Sequence, residues 1–225
     1  MLEINQPSTT ATKTNMSKKT KYFFDTEFIE DGKTIDLISI GIACEDGRAY
    51  YAQNQECKFT KANDWVWRNV FLHLDHFNMR GVRSCQQYKG MSYEPLTGKC
   101  VIGGNTYCPW RYHWEIRDEV REFMDIEKHG EPEIWGYYAD YDWVAFCQLF
   151  GAMIELPKGF PMFCMDLKQL CLSVGDPKLP KLESISRIEH HALEDALEIK
   201  FRNHYLQELM RTTKIPLDAT PSPVA

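Results

Sequence analysis

The sequence lacks a hydrophobic run long enough to cross a membrane, and it shows no signal-peptide pattern. Its first apolar run is a predicted strand of about six residues, whereas a membrane-spanning helix needs about 20. We therefore expect no membrane partner and a cytoplasmic location.

Closely spaced cysteine pairs are also missing. The eight cysteines are scattered along the chain, without the Cys-x-x-Cys spacing typical of structural zinc sites. We expect free thiols in a reducing compartment, where they act as core fillers. Cys85, Cys100, Cys108 and His113 leave a zinc site open as the weaker alternative.

Positive charge is scarce as well. The chain has 26 Lys and Arg against 32 Asp and Glu, which gives a net charge of −6 at pH 7. Because nucleic-acid-binding proteins normally carry a basic surface, any such contact is expected to be local, at short or single-stranded ends. Five basic residues of the middle third either line a groove or belong to an ordinary mixed surface: Arg68, Arg80, Arg83, Lys89 and Arg111.

The length predicts one folded domain. Residues 1–20 are rich in Thr, Ser, Asn and Lys without an apolar period, which predicts a disordered tail. Residues 212–225 contain three prolines and predict a second, flexible tail. The folded domain is expected over residues 21–211, with residues 80–110 as an insertion.

A hairpin is predicted inside that insertion, because Gly103-Gly104-Asn105 separates two strand-like segments. Such an arm would contact substrate or a second subunit. The aromatic residues that follow it, Trp110, Tyr112 and Trp114, are expected to fill the core in preference to stacking on bases.

Hydrophobic periodicity predicts an alternation of strands and helices. The predicted strands cover residues 21–27, 35–42, 48–53 and 133–138, with a fifth around 163–165. The first three are expected to form an antiparallel meander. The predicted helices cover residues 65–74, capped by Asn63 or Asp64, and 112–128, with one beginning near Asp142 and one ending near Met210.

Asp25 and Glu27 lie on the first predicted strand, where residues two apart point to the same face. Two adjacent carboxylates repel each other, and a bound divalent cation removes that cost. The pair therefore indicates either a metal site or a solvated acidic strand end.

Two later segments carry further acids. Asp142 lies at the start of a predicted helix, where helix capping by Asp140 or Asp142 is the simpler explanation. Asp195 lies beside the apolar stripe of the last helix, which is an unusual place for an unpaired charge. His190 lies just ahead of that helix, and His191 is one turn before Asp195 and able to bond to it.

Together these segments resemble the DEDDh 3′-5′ exonucleases, whose signature is Asp-x-Glu on the first strand, a distant Asp, and His-x-x-x-x-Asp near the C-terminal end. The sequence of these segments is most similar to that of the small bacterial 3′-5′ exoribonucleases of the mycobacterial type. The similarity covers residues 21–75 and 111–211 and is carried by residues 22–29, 31–41, 141–149 and 190–196.

The resemblance implies an α/β protein of the ribonuclease H-like fold, with a mixed five-stranded central sheet flanked by helices and an inserted hairpin-like arm. It also implies two Mg²⁺ or Mn²⁺ ions, held by Asp25, Glu27, Asp142 and Asp195. His190 would take a proton from the attacking water, a role suited to a side chain that titrates near neutral pH. His191 is not expected to be essential.

The implied reaction is release of nucleoside 5′-monophosphates from single-stranded 3′ ends of RNA. Phe28 would contact the terminal base, although many relatives carry Thr at this place. Two alternatives stay open, a 3′-5′ exonuclease acting on DNA and a catalytically silent RNA-binding scaffold of the same fold. A homodimer is expected by resemblance alone.

Overall fold

A mixed sheet of six strands is the centre of the protein in the computed structural model. The structure describes residues 18–75, 91–94, 99–102, 105–106, 108–182 and 190–213, with the backbone alone for the three short segments between 91 and 106. The six strands are β1 Lys19–Glu30, β2 Ile35–Cys44, β3 Ala49–Asn54, β7 Trp110–Arg111, β8 Glu131–Gly136 and β9 Met165–Asp166, and β4 to β6 belong to a separate sheet described below. Their spatial order is β7-β3-β2-β1-β8-β9.

The predicted meander is confirmed. β1, β2 and β3 pair antiparallel, and Asp25 lies opposite Gly41 across the β1–β2 ladder. A register shift between Glu27 and Phe28 marks a bulge, which re-aims side chains locally. β1 begins at Lys19, two residues before its predicted start.

The remaining strands pair in parallel. β8 pairs with β1 only as far as Phe23 opposite Trp135, and β9 pairs with β8. The prediction of five strands was wrong by one, because β7 adds a parallel edge strand beside β3. A strand of two residues has too short an alternation to be recognised from sequence.

Helices cover both faces of this sheet. They are α1 Asp64–Asn69, α2 His113–Phe123, α3 Ile126–His129, α4 Asp140–Gln148, α5 Leu167–Ser173 and α6 Ala192–Thr213. The Asn63 side chain caps α1 by accepting from the Val66 amide, as predicted. The helix predicted over 112–128 is divided into α2 and α3, because Met124 and Asp125 leave helical geometry and Asp125 caps α3.

The alternation of β1 divides the core into two layers. Tyr22 and Phe24 pack on one face against α2 and α4, whereas Phe23 packs on the other against α5 and α6. This three-layer α/β arrangement is compatible with the ribonuclease H-like fold.

The hairpin predicted in the insertion is present in the backbone. β4 Met91–Glu94, β5 Lys99–Ile102 and β6 Asn105–Thr106 form a separate antiparallel sheet. Most other residues of the predicted 80–110 insertion lie outside the described residues. The same is true of residues 1–17 and 214–225, on which the two predicted tails largely fall.

The aromatic residues after the arm do not all fill the core. Trp110 is buried in a cluster with Cys108, Val66 and Phe71, as expected. The prediction was wrong for Tyr112 and Trp114, which are exposed. They are the N-cap and the second residue of α2, at the open end of the helix.

No helix in the described part of the chain is long and apolar enough to span a bilayer.

Gly41 sets the distance between the sheet and α6. A Cβ atom at this position would lie 2.3 Å from the main-chain atoms of Ala192 and Leu193. Because backbone atoms cannot rotate away, Gly41→Ala is expected to lower the free energy of unfolding by roughly 2–3 kcal/mol, measured by urea denaturation.

Gly47→Ala is the control. Gly47 has a φ of +97°, and a Cβ atom at this position would have no neighbour within 4 Å. Only backbone strain of about 1 kcal/mol is therefore expected. A loss for Gly41→Ala no larger than that of Gly47→Ala would contradict the close approach.

Candidate active site

Three carboxylates from two elements meet at the α6 face of the sheet. Asp25 and Glu27 project from β1 and Asp195 from the first turn of α6, and each offers an oxygen within 4.8 Å of the others. Gly41 lies opposite Asp25. Because glycine has no side chain, the start of α6 can pack directly on the sheet at this point. The strand alternation and the helix position therefore assemble the predicted acids.

Asp142 reaches the site from the opposite layer. Its Oδ1 accepts hydrogen bonds from the Thr26 amide (2.9 Å) and the Thr26 hydroxyl (2.6 Å). β8 stops pairing with β1 at Phe23, so the Thr26 amide needs another acceptor. The α4 cap is Ala139, without a side-chain hydrogen bond, so helix capping does not explain Asp142.

The four acids form one electrostatic unit. Burial raises the pKa of Asp25 well above its ordinary value, and the charges of Asp142, Glu27 and Asp195 raise it further. Burial, then Asp195 and Asp142, raise the pKa of Glu27 to about 8. Burial also raises the pKa of Asp142, against the lowering effect of its bonds from Thr26.

This donor set fits a hard divalent cation. Within the described residues, no Lys or Arg forms an ion pair with Asp25, Glu27 or Asp142. Clustered, partly buried carboxylates are suited to Mg²⁺ or Mn²⁺, which prefer oxygen ligands.

The two histidines have different surroundings. His190 is in the left-handed region (φ +61°), and its ring meets the edge of Trp65 with centroids 5.0 Å apart. It lies two residues before α6 and outside the carboxylate trio. Trp65 is more than half exposed, so this pair stands at the surface.

His191 is part of the core. Its ring stacks on Tyr51 with centroids 4.3 Å apart, and burial lowers its pKa. Its Nε2 lies 3.9 Å from Asp75 Oδ1. The His191 carbonyl accepts a hydrogen bond from the Asp195 amide. The His191 ring packs on Tyr51, and not on the Asp195 side chain as considered from the sequence.

Phe28 is half-buried after the bulge, and its ring meets the edge of Tyr141 at a centroid distance of 5.9 Å. Tyr141 is exposed and precedes Asp142. An aromatic pair therefore stands next to the acids, and sequence reasoning named only one member of it.

Thr26 and Asp166 were missed from the sequence. Thr26 is buried and orients Asp142. The sequence did offer a signal for Thr26, because it is a polar residue between two acids in a buried strand. Asp166 accepts bonds from the amides of Ala139 and Gln169, and its charge raises the pKa of Asp142. Its bond from Gln169 is a local helix cap, whereas the contact with Ala139 joins residues 27 apart and has no local sequence signal.

The predicted basic groove is not supported by its described members. Arg111 is largely buried and pairs with Glu119 at 2.8 Å between Nε and Oε1, so that assignment was wrong. Arg68 is exposed and lies 3.8 Å from Asp64. Arg80, Arg83 and Lys89 lie outside the described residues.

The zinc alternative rests largely on side chains that the structure does not describe, namely those of Cys85 and Cys100. Cys108 is buried among apolar residues. Burial lowers the pKa of His113. The carboxylate trio is the one candidate metal group among the described residues.

No family model matches the chain. Two curated proteins of Mycobacterium tuberculosis do, both named 3′-5′ exoribonuclease and drawn from two strains. Each is 37% identical over 176 residues, which is 78% of this chain and 86% of the relative. The chain belongs to this exoribonuclease family. Membership identifies it as an enzyme of the exonuclease class, and it confirms the mycobacterial-type resemblance.

The raised pKa of Glu27 predicts how stability depends on pH. The folded state holds a proton up to about pH 8 that the unfolded chain releases near 4.5. Stability of the metal-free protein is therefore expected to fall as pH rises through this range. Above pH 8, the free energy of unfolding of Glu27→Gln should exceed that of the parent by roughly 1–3 kcal/mol. Urea denaturation in the presence of a chelator measures this difference.

The same variant should lose most of the rise in Tm that Mn²⁺ gives the parent. Asp140→Asn is the control, because Asp140 is an exposed acid two residues from Asp142, and it should keep the parental response. An equal Mn²⁺ response in Glu27→Gln and the parent would contradict the metal assignment.

Proposed function

We propose that the protein is a metal-dependent 3′-5′ exoribonuclease that releases nucleoside 5′-monophosphates from single-stranded 3′ ends of RNA. The observation that carries the proposal is the meeting of Asp25, Glu27 and Asp195 within 4.8 Å, in a chain whose family members are named exoribonucleases. The names of these relatives favour RNA over DNA.

Two divalent cations, Mg²⁺ or Mn²⁺, are the proposed cofactors. Asp25 would be shared by both, with Glu27 and Asp195 on one and Asp142 on the other. Such ions supply charge neutralisation at the phosphate, an acidified water and stabilisation of the leaving oxygen. The raised pKa values of Asp25 and Glu27 support this assignment, because a dication relieves the repulsion that raises them.

His190 is the proposed proton acceptor for the attacking water. Its place immediately before α6 leaves the ring outside the packed core, while α6 carries Asp195 into the acid cluster. Phe28 is proposed to contact the terminal base. The exposed ring of Tyr141 against it extends that surface.

The setting we propose is the cytoplasm, and the family resemblance implies a homodimer there. The six cysteines whose side chains the structure describes are all free thiols. Free thiols are typical of a reducing compartment.

Asp25→Asn tests the reaction. Removal of a carboxylate shared by both cations is expected to lower kcat at least about a thousandfold, while the variant stays folded. The measurement is shortening of 5′-labelled RNA in Mn²⁺ beside a DNA oligomer of the same sequence. Asp140→Asn should degrade RNA at the parental rate.

Undiminished RNA degradation by Asp25→Asn would overturn the mechanism. Faster cleavage of the DNA oligomer would identify a DNA exonuclease. Binding of RNA by the parent without shortening would identify a silent scaffold.

The paired histidines give a second test. His190→Ala should lower kcat by about 10²–10⁴ with little change in Tm. His191→Ala should lower the free energy of unfolding by roughly 2 kcal/mol, because it empties a buried site on Tyr51, and keep most of the activity at low temperature. The reverse pattern would assign the base role to His191.

A further inference from the structure

A basic trough runs along the layer formed by α5 and α6. Two shallow cavities, of about 370 and 260 Å³, meet at Lys178 and Leu179. Their basic lining residues are Lys168, Lys178, Lys181 and Arg202, with Tyr137 and Tyr205 as aromatic walls. A concentration of positive charge is unusual in a chain of net charge −6.

Part of this positive charge is neutralised locally. Lys168 pairs with Asp176 at 2.6 Å between Nζ and Oδ1, and Arg202 pairs with the buried Glu198. Lys178 and Lys181 are exposed, and neither forms an ion pair within the described residues. Both ammonium groups stand at the surface, where a ligand can reach them.

The loop that presents these lysines is held in place. Asp176 adopts a φ of +52°, and its amide donates to the Cys171 carbonyl at 2.9 Å. Arg202 Nε donates to the Pro180 carbonyl at 3.2 Å. Pro177 and Pro180 fix their own φ angles, so the backbone that carries the lysines has little conformational entropy left to lose on binding.

The trough begins beside the acid cluster. Arg202 follows Asp195 by seven residues on α6, which places both on one helix face about 10 Å apart. The Arg202 guanidinium lies 5.5 Å from the centre of the Tyr137 ring. Tyr137 contacts the exposed ring of Tyr138, at 4.6 Å, just before the turn into α4 and Asp142.

We propose that this trough binds the RNA strand on the 5′ side of the scissile bond. Lys178 and Lys181 would contact backbone phosphates, and Tyr138 offers a ring on which a base can stack. The inference rests on the proposed function and names the path of its substrate. It also offers an acidic enzyme a local surface on which an anionic chain can be held, because two exposed lysines stand side by side there.

The test compares a dinucleotide with a 12-nucleotide RNA, using parent and the double variant Lys178→Ala/Lys181→Ala. Only the longer RNA reaches the trough. The kcat/KM of the double variant on the longer RNA should therefore fall about 5- to 50-fold below that of the parent at low salt. Its kcat/KM on the dinucleotide should stay within twofold of the parental value. The slope of log kcat/KM against log salt should lessen by roughly 1.4 for the longer RNA, since each lost phosphate contact contributes about 0.7.

Lys33→Ala/Lys128→Ala is the matched control, because it removes the same charge from two other exposed positions and should leave both substrates unaffected. Equal kcat/KM of the trough variant and the parent on the longer RNA would overturn the proposal. So would an equal loss on both RNA lengths. Failure of the parent to shorten either RNA would instead reject the proposed function.

Discussion

The mutual repulsion of four carboxylates at the end of β1 is the constraint on which the rest of the structure depends. Burial and neighbouring charge raise the pKa values of Asp25 and Glu27, so the acids oppose folding whenever they ionise without a cation. The surrounding core must supply enough stability to hold them. The acids lie between two packed layers. Apolar contacts fix the position of each strand or helix that carries an acid, independently of the acids themselves.

The fold meets this constraint by leaving the end of β1 without a paired strand on its β8 side. β8 pairs with β1 only through Phe23, which frees the Thr26 amide for Asp142 on one side of the strand. On the other side, Gly41 admits the start of α6 and thereby Asp195. One strand thus presents Asp25 and Glu27 to α6 and Thr26 to α4, and the alternation of its side chains joins the two layers at a single site.

Local patterns singled out three of these acids, and the family resemblance was needed to make them one predicted site. Strand alternation put Asp25 and Glu27 on one face, and Asp195 was an unusual charge beside an apolar stripe. Thr26 and Asp166 were missed, because their roles depend on partners more than 25 residues away. The two-residue β7 shows the same limit, since it is held by pairing with the distant β3 and is too short to have a period of its own.

The four acids should act together as a metal site. Diffraction from crystals soaked in Mn²⁺, recorded where manganese scatters anomalously, would locate the bound ions. Anomalous peaks are expected within ligand distance of Asp25, Glu27 and Asp195, with Asp142 adjoining. Ordered Mn²⁺ elsewhere, with none at these carboxylates, would contradict this metal site.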